Sequence, residues 1–361
     1  FAHDKISDIV DAIKFAKKYS DLVILSGGLG PTIDDLTKEA IAEYLKKDLV
    51  IDELHRKEME RKFSERGIEV LSKNLKEVSV VTDSIVFYNE PGIAPAFYID
   101  GISAFPGVPM ELKNMFPKYL DYLKKEFGLN KKLIIRDFIV WGIPESTLEE
   151  KIIGYFNDQK VFLEFLVKDY GIIVRLVTDE DNKELVEELG KKIYSILGEA
   201  VLYEENRPSQ EVLIEKLIKE KMTISLAESC TGGMIAEKLV SVSGASEVFE
   251  EGLVTYSNEA KMKRLGVNKE TLDKYGAVSS ETVEEMLKGL STDVGIAVSG
   301  IAGPLGGTEE KPVGTVYIGI KLNEELYINR HLFKGDRERI RIRACYTAIN
   351  NLLQILRKRG M

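Results

Sequence analysis

Short apolar runs alternate with longer stretches in which apolar residues recur at helical spacing. The short runs are typical of buried strands and the longer stretches of amphipathic helices, so their alternation predicts a layered α/β architecture. A glycine cluster lies between the first predicted strand and the second predicted helix. The elements predicted for a first unit are, in order, a helix (6–19), a strand (21–26), a helix (36–47), a strand (83–88), a rigid turn (105–109) and a helix (110–127).

Two further units follow the first. Residues 133–196 alternate in the order β-α-β-β-α, which predicts a small mixed module, and the polar, proline-containing segment 204–209 is the predicted linker after it. Beyond the linker we predict a helix (210–220), a strand (222–227), a helix from 232, a strand (252–256), two more helices, three strands (294–299, 315–321, 326–333) and a long helix from 336. The predicted domains therefore span residues 1–125, 131–200 and 208–361.

Composition narrows the class of protein. Apolar residues make up 44% and charged residues 30% of the chain, which excludes disordered and fibrous classes. The net charge of −9 offers no general attraction to nucleic acid or to an anionic membrane. The two cysteines fit a reducing compartment, and no apolar run approaches the roughly 18 residues of a membrane span. We therefore predict a cytoplasmic protein with neither nucleic-acid nor membrane partners.

The segment 227–233, Ala-Glu-Ser-Cys-Thr-Gly-Gly, lies between a predicted strand and a predicted helix. Small residues at such a turn let a ligand approach the backbone, and the N–H groups of the helix start can hold an anion. Ser229 stands where a nucleophile would be useful. A capped helix with a closely packed glycine pair would show the same pattern, so the serine needs a base before it can be called a nucleophile.

Histidine is a poor candidate for that base, because no Gly-x-Ser-x-Gly motif is present and the three histidines lie in unrelated contexts. In the segment 255–261, Ser257 is a natural helix N-cap, which predicts that Tyr256 and Lys261 pack together across the first turn. A desolvated lysine can act as a general base near neutral pH and a tyrosine can relay the proton. The alternative is a packing tyrosine beside a solvated lysine.

Three ordered segments resemble the CinA family of competence/damage-inducible proteins: 227–233, 254–261 and 298–304. Further agreement at 306–315 and 335–337 extends the resemblance over about residues 208–361. The resemblance implies that this domain is a nicotinamide mononucleotide deamidase, which hydrolyses the carboxamide to nicotinate mononucleotide and ammonia. It also implies Ser229 as the nucleophile, Lys261 as its base and Tyr256 as the assisting group, with no metal or other cofactor.

The remaining residues predicted for this domain concern substrate binding. Backbone N–H groups at Thr231, Gly232 and Gly233 are the candidate oxyanion donors. The glycine-rich loop that includes Ser299, Gly300, Ala302 and Gly303 suits close approach of the backbone to a ribose or phosphate. Arginines recur at 337, 339, 341 and 343, so at most one i,i+4 pair can face a phosphate from a helix. We favour Arg337 as the phosphate ligand.

The first unit contains a second candidate site. Its loop 27–37, Gly-Gly-Leu-Gly-Pro-Thr-Ile-Asp-Asp-Leu-Thr, and the turn 105–109 resemble two loops of molybdopterin-binding domains. Together they resemble the N-terminal domain of the same family, which implies a metal-dependent ADP-ribose pyrophosphatase. Such glycines can hold phosphates, and carboxylates suit a Mg²⁺-, Mn²⁺- or Co²⁺-like ion. The predicted residues are Gly27, Gly28, Gly30, Thr32, Asp34, Asp35, Thr37 and Glu111, with Asp34, Asp35 and Glu111 as metal ligands.

The family pattern opens with a strand, a turn, a helix and a second strand ahead of the segment that matches Phe1, so we expect those elements to be missing from this sequence. The middle module resembles the family's KH-like linking domain but lacks the Gly-x-x-Gly loop that clamps nucleic acid, which favours a scaffold role and a homodimer. The predicted fold is thus a molybdopterin-binding-like three-layer domain, a small KH-like α+β module and a C-terminal α/β domain. A non-catalytic nucleotide- or molybdopterin-binding protein is the alternative function.

Overall fold

A computed structural model of the chain describes residues 2–129, 132–156 and 160–361. The chain divides into two units, Phe1–Asn130 and Lys131–Met361. Within the described ranges, no helix is long and apolar enough to cross a membrane.

The first unit packs helices against a mixed sheet. The strand order is β1-β6-β5-β4, with β1 and β6 parallel and the other neighbours antiparallel, and β2 and β3 form a separate antiparallel pair. These elements are α1 (Ile6–Lys17), β1 (Val23–Ser26), α2 (Thr37–Leu45), β2 (Leu49–Ile51), α3 (Glu53–Glu65), β3 (Ser79–Val81), β4 (Ile85–Phe87), β5 (Ala96–Ile99), β6 (Ile102–Phe105) and α4 (Pro109–Phe127). The glycine loop joins the carboxyl end of β1 to α2.

The second unit begins with an antiparallel sheet in the order β10-β7-β9-β8. Its elements are β7 (Leu133–Val140), α5 (Glu145–Ile152), β8 (Phe162–Lys168), β9 (Gly171–Asp179), α6 (Lys183–Leu197) and β10 (Val201–Glu204). The strand β10 was not predicted, because its last residue lies in the polar segment assigned to the linker. Pairing with β7 and a two-bond ion pair between Arg136 and Glu204, with both N–O distances 2.8 Å, hold it in the sheet.

The rest of this unit is built on a five-stranded sheet. Its elements are α7 (Ser209–Glu220), β11 (Ile224–Glu228), α8 (Met234–Val240), β12 (Phe249–Val254), α9 (Asn258–Leu265), α10 (Lys269–Tyr275), α11 (Ser280–Lys288), β13 (Val294–Gly300), β14 (Thr315–Leu322), β15 (Glu325–Leu332) and α12 (Arg337–Lys358). Three helices lie between β12 and β13 where two were predicted, because Gly266 and Gly276, each with positive φ, end α9 and α10.

The five-stranded sheet is covered by helices on both faces. The strand order is β12-β11-β13-β14-β15; β12, β11 and β13 run parallel, and the last two strands are antiparallel to their neighbours. Side chains alternate along β13, so Ile296 and Val298 join one core with α7 and α12, whereas Ala297 joins the opposite core with α11. In such open sheets, ligands bind at the carboxyl ends of the parallel strands.

Candidate active site

The carboxyl ends of three neighbouring parallel strands bring the predicted C-terminal residues together. Ser229 follows the last residue of β11, and its backbone N–H donates to the carbonyl of Val298 in β13 at 2.9 Å. Thr255 follows the last residue of β12, and its N–H donates to the carbonyl of Glu228 at 2.8 Å. The strand-to-helix turns therefore meet at one edge of the sheet.

A serine and a lysine lie within hydrogen-bonding distance at this edge. The Nζ atom of Lys261 is 3.1 Å from Oγ of Ser229 and donates to the carbonyl of Thr255 at 2.7 Å. Lys261 is 1% exposed and Ser229 is 8% exposed. Burial lowers the pKa of Lys261 from its ordinary value, which favours the neutral amine that a general base requires. The arrangement can move a proton from the hydroxyl to the amine.

Cys230 does not compete with Ser229 as a nucleophile. Its side chain is buried, and burial raises the pKa of the thiol to about 12. The thiol therefore stays protonated near neutral pH, and the thiolate is the reactive form of cysteine.

The position of Tyr256 differs from the prediction. The Ser257 side chain caps α9 by accepting from the N–H of Ala260 at 3.1 Å, so the predicted N-cap is confirmed. Lys261, however, turns inward to Ser229 and Thr255, whereas Tyr256 is 63% exposed and its hydroxyl accepts from Nη2 of Arg337 at 3.1 Å. The predicted Tyr256–Lys261 contact is wrong, because the lysine finds its oxygen partners inside the sheet edge.

Glu228 is a buried carboxylate that the sequence reasoning missed. It is 1% exposed and accepts from the N–H groups of Gly233, Ile235 and Ala236 at 3.0, 3.2 and 2.9 Å. These are N–H groups at the start of α8, where a carboxylate both bonds the free donors and complements the helix dipole. The signal was present, because an acidic residue precedes a predicted helix start by a few positions. Glu228 fixes α8 against the end of β11, directly beside Ser229.

We expect Glu228→Gln to lower the free energy of unfolding by about 2 kcal/mol, because an amide has one acceptor atom where the carboxylate uses two. The measurement is urea unfolding followed by circular dichroism. Glu237→Gln is the matched control on the same helix, since that side chain is 60% exposed and should change stability little. A Glu228→Gln chain as stable as the wild type would contradict this role.

The N–H groups predicted as oxyanion donors are only partly available. Gly232 donates to the carbonyl of Ser229 at 3.1 Å, and Gly233 donates to Glu228. These two N–H groups are thus already bonded within the turn, and their contact with substrate stays a prediction. In the part of the chain that the structure describes, the N–H groups of Cys230 and Thr231 donate to no other residue. The available donors thus lie immediately after the serine.

Two arginines of α12 contact the loops around the serine. Arg337 donates through Nη1 to the carbonyl of Gly303 at 2.8 Å, in addition to its bond with Tyr256. Arg341, one turn later, donates through Nε to the carbonyl of Cys230 at 3.1 Å and through Nη2 to that of Thr231 at 2.7 Å. Arg343 instead donates to the carbonyl of Lys334. The i,i+4 pair that faces the site is therefore 337 and 341, of which the sequence analysis favoured only Arg337.

The glycine-rich loop after β13 is shaped by packing. The Ser299 hydroxyl is buried and donates to the carbonyl of Ala277 at 2.6 Å. A Cβ at Gly300 would lie 2.7 Å from Val316, and one at Gly303 would lie 2.5 Å from Val313. Ala302 is buried as well. These four residues hold the loop beside Ser229. Because the side chains of Ser299 and Ala302 are buried and the other two residues are glycines, contacts with substrate would come from backbone atoms.

In the first unit, the predicted residues mostly bond to their own loop. The Thr37 hydroxyl donates to the carbonyl of Gly27 at 2.9 Å, and Gly28 is required because a Cβ there would lie 2.2 Å from that hydroxyl. Asp35 accepts from the N–H and the hydroxyl of Thr32 at 2.9 and 2.5 Å, and a Cβ at Gly30 would meet the same carboxylate. The loop is thus closed by its own side chains.

The predicted metal ligands do not form a group. Asp35 is engaged by Thr32, Glu111 accepts from Nδ2 of Asn89 at 2.8 Å, and Asp34 is exposed. Across residues 2–129, 132–156 and 160–361, no three His, Cys, Asp or Glu side chains are arranged to hold an ion. The metal site at Asp34, Asp35 and Glu111 stays a prediction that this geometry does not support. A buried lysine that the prediction omitted, Lys38, bonds the carbonyls of Leu29 and Lys76 below the loop, and burial lowers its pKa to about 8.

Comparison with known proteins agrees with the motif resemblance. Residues 206–356 match the CinA C-terminal domain, residues 136–202 the KH domain of damage-inducible protein CinA, and residues 1–125 a molybdopterin binding domain. The crystal structure of the competence/damage inducible protein CihA from Agrobacterium tumefaciens is 38% identical; the match covers 41% of this chain and 96% of that one, with a TM-score of 0.39.

Two relatives match almost the whole chain. A CinA-like protein of Fusobacterium nucleatum is 52% identical over 359 residues, which cover 99% of this chain and 89% of that protein. A competence-damage inducible protein of Caldicellulosiruptor saccharolyticus is 39% identical over 368 residues, covering 98% and 88%. The chain therefore belongs to the CinA family, with a molybdopterin-binding-like domain, a KH domain and a CinA C-terminal domain.

Proposed function

We propose that the C-terminal domain hydrolyses the carboxamide of nicotinamide mononucleotide to nicotinate mononucleotide and ammonia. The observation that carries the proposal is the buried amine of Lys261, 3.1 Å from the hydroxyl of Ser229 at the carboxyl ends of parallel strands. A serine beside a desolvated lysine is a nucleophile with its base, and acyl transfer is the reaction for which that pair is suited. The substrate is the one implied by the resemblance to the CinA family.

In the first half of the reaction, the Ser229 oxygen bonds to the carboxamide carbon while its proton passes to the neutral amine of Lys261. The carbonyl oxygen takes the negative charge of the tetrahedral intermediate. The N–H groups of Cys230 and Thr231, which donate to no other described residue, are the candidate donors to that oxygen. When the carbon–nitrogen bond breaks, Lys261 returns its proton to the departing nitrogen, which leaves as ammonia, and Ser229 carries the acyl group as an ester.

In the second half, a water molecule attacks the ester carbon and gives its proton to Lys261. The carbon–oxygen bond to Ser229 then breaks, and Lys261 returns the proton to the serine oxygen. The products are the free serine and the nicotinate carboxyl group, so one water is consumed for each ammonia released. Tyr256 and Arg337 lie together at the rim of this site, where an exposed cation suits the substrate phosphate.

The first unit offers no comparable pair. Among its described residues the carboxylates form no metal-binding group, and Asp35 and Thr37 are engaged in closing the glycine loop. No observation there favours metal-dependent cleavage of ADP-ribose, so a nucleotide- or molybdopterin-binding role is the alternative for that unit.

The test of the proposed function is ammonia release from nicotinamide mononucleotide by the full chain, with identification of the second product as nicotinate mononucleotide. Release should be the same with and without EDTA, because the proposed steps use only Ser229, Lys261 and the backbone. No release from a folded chain would contradict the proposal. Release that EDTA abolishes would contradict the proposed steps.

The kcat for this reaction should rise with pH. The reaction requires neutral Lys261, and burial lowers the pKa of that amine below its ordinary value of 10.5, so the ammonium that predominates at low pH is inactive. Below the lowered pKa we expect kcat to fall about tenfold per pH unit, and above it to level off. The measurement is kcat from about pH 5 to 10. A kcat that does not change over this range would contradict the role of Lys261.

A further inference from the structure

Arg341 holds the turn that follows Ser229 from a helix more than a hundred residues later in the chain. Its Nε donates to the carbonyl of Cys230 at 3.1 Å and its Nη2 to the carbonyl of Thr231 at 2.7 Å. The two donors belong to one rigid, planar guanidinium, so both carbonyls are oriented at once. The side chain is half-buried, which limits the alternative positions it can take.

The orientation of the N–H groups of Cys230 and Thr231 follows from the bonds that their preceding carbonyls accept. A trans peptide is planar, so the N–H of a residue points opposite to the carbonyl of the residue before it. The carbonyl of Ser229 accepts from Gly232, and this directs the N–H of Cys230 away from the turn. The carbonyl of Cys230 accepts from Arg341, and this directs the N–H of Thr231 away from the guanidinium.

The two peptides are not held equally well. Gly232 holds the first through the backbone of the turn itself, whereas the carbonyl of Cys230 accepts, among the described residues, from Arg341 alone. Arg341 is therefore the one side chain, in the described ranges, that holds the peptide carrying the Thr231 N–H.

We infer that Arg341 is a positioning residue that directs the N–H of Thr231 toward the oxygen on which negative charge develops. The inference rests on the proposed function, in which Ser229 forms a tetrahedral intermediate, and it names the side chain that orients one of the two oxyanion donors. Arg341 acts through the turn and does not touch the substrate. Arg337, on the same face of α12, contacts Gly303 and Tyr256 instead, so the two arginines have separate roles.

The test compares Arg341→Met and Arg341→Lys with the control Arg343→Met, whose side chain is exposed and donates to Lys334. Both Arg341 variants should lower kcat for nicotinamide mononucleotide on the order of a hundredfold, the usual effect of losing one oxyanion donor. KM should stay within about threefold, and the pH at which kcat levels off should not move, because burial and not Arg341 sets the pKa of Lys261. Lysine keeps the charge but lacks the planar pair of N–H donors that bonds both carbonyls, so it should not restore the rate.

A second measurement makes the result independent of the substrate. The rate at which a fluorophosphonate labels Ser229, followed by the intact mass of the chain, also depends on donors to a tetrahedral oxygen. Both Arg341 variants should be labelled more slowly than the wild type and the Arg343→Met control. Thermal unfolding of each variant shows whether it is folded, and Arg341→Lys is the milder change if Arg341→Met is not.

The outcomes separate the two proposals. A raised KM with unchanged kcat would make Arg341 a phosphate ligand and overturn the inference. Unchanged labelling and unchanged kcat in both variants would also overturn it. If the wild type releases no ammonia from nicotinamide mononucleotide but its Ser229 is labelled, and the Arg341 variants are labelled slowly, the proposed substrate is wrong and the role of Arg341 stands.

Discussion

Replacing Ser229 with alanine should lower ammonia release from nicotinamide mononucleotide by a factor of at least about ten thousand, while the chain stays folded. The change removes the atom that forms the acyl-enzyme, and no other nucleophile replaces it, because burial keeps the neighbouring Cys230 thiol protonated. Lys261 keeps its bond to the carbonyl of Thr255, so the loss of structure should be small. The measurement is single-turnover product formation, with thermal unfolding of the same samples.

Ser225→Ala is the matched control for this prediction. Ser225 lies within β11, the strand that Ser229 follows. It is fully buried and shares a hydrogen bond of 2.6 Å with Thr292, away from the carboxyl end of the strand. That variant should lose some stability and keep its turnover. A Ser229→Ala chain with substantial turnover would rule out the nucleophile. A wild-type chain that binds the nucleotide without turning it over, and a Ser229→Ala chain that binds it equally, would support the non-catalytic alternative.

Replacing Lys261 with methionine should lower kcat by about a thousandfold and remove the rise of kcat with pH, because the remaining reaction has no general base that titrates. Arginine at this position should be almost as poor. A guanidinium keeps the positive charge near Ser229 but does not lose its proton in proteins, so it cannot accept one from the serine. The measurement is kcat against pH for both variants.

The control for the lysine is Lys263→Met, because Lys263 lies on the same helix and is exposed. Its turnover and pH dependence should match those of the wild type. A Lys261→Arg chain that keeps most of the activity would show that the site needs a positive charge and not a base, which would contradict the proposed steps.

Ser229 and Lys261 could be identified as candidates from the sequence because each residue lies at a strand-to-helix junction with a recognisable local signal. Small residues mark the turn at Ser229, and Ser257 caps the helix that carries Lys261. Parallel strands then bring the two junctions to the same edge of the sheet. Local patterns identified the two residues as candidates, and the resemblance to the CinA family paired them as nucleophile and base.

The side chains that bond the turn after Ser229 could not be predicted in the same way. Arg341 bonds the carbonyls of Cys230 and Thr231, which lie more than a hundred residues earlier in the chain. In its own segment it is one of four arginines, and nothing in the local sequence distinguishes it. Helix spacing predicted a contact between Tyr256 and Lys261. Instead, Lys261 bonds the buried hydroxyl of Ser229, and Tyr256 bonds the exposed Arg337. Such contacts depend on how distant segments pack together, so the spacing of residues in one segment does not predict them.

The first unit shows a related limit. The glycines and carboxylates of its loop were identified as the residue types that hold phosphate and metal, yet carboxylates can share an ion only if the fold brings several of them together. Asp35 accepts from Thr32 and Glu111 from Asn89, and among the described residues no three such side chains are arranged to hold an ion. Residue type predicts what a site can bind, and only the geometry shows which of those groups are available.

The most direct test of the account is the mass of the chain during turnover. After wild-type protein is mixed with nicotinamide mononucleotide and quenched in acid, the peptide that contains Ser229 should gain the mass of nicotinate mononucleotide less one water. This adduct should be absent from Ser229→Ala. Ammonia release at an undiminished rate from Ser229→Ala, or an adduct on a different residue, would contradict the account.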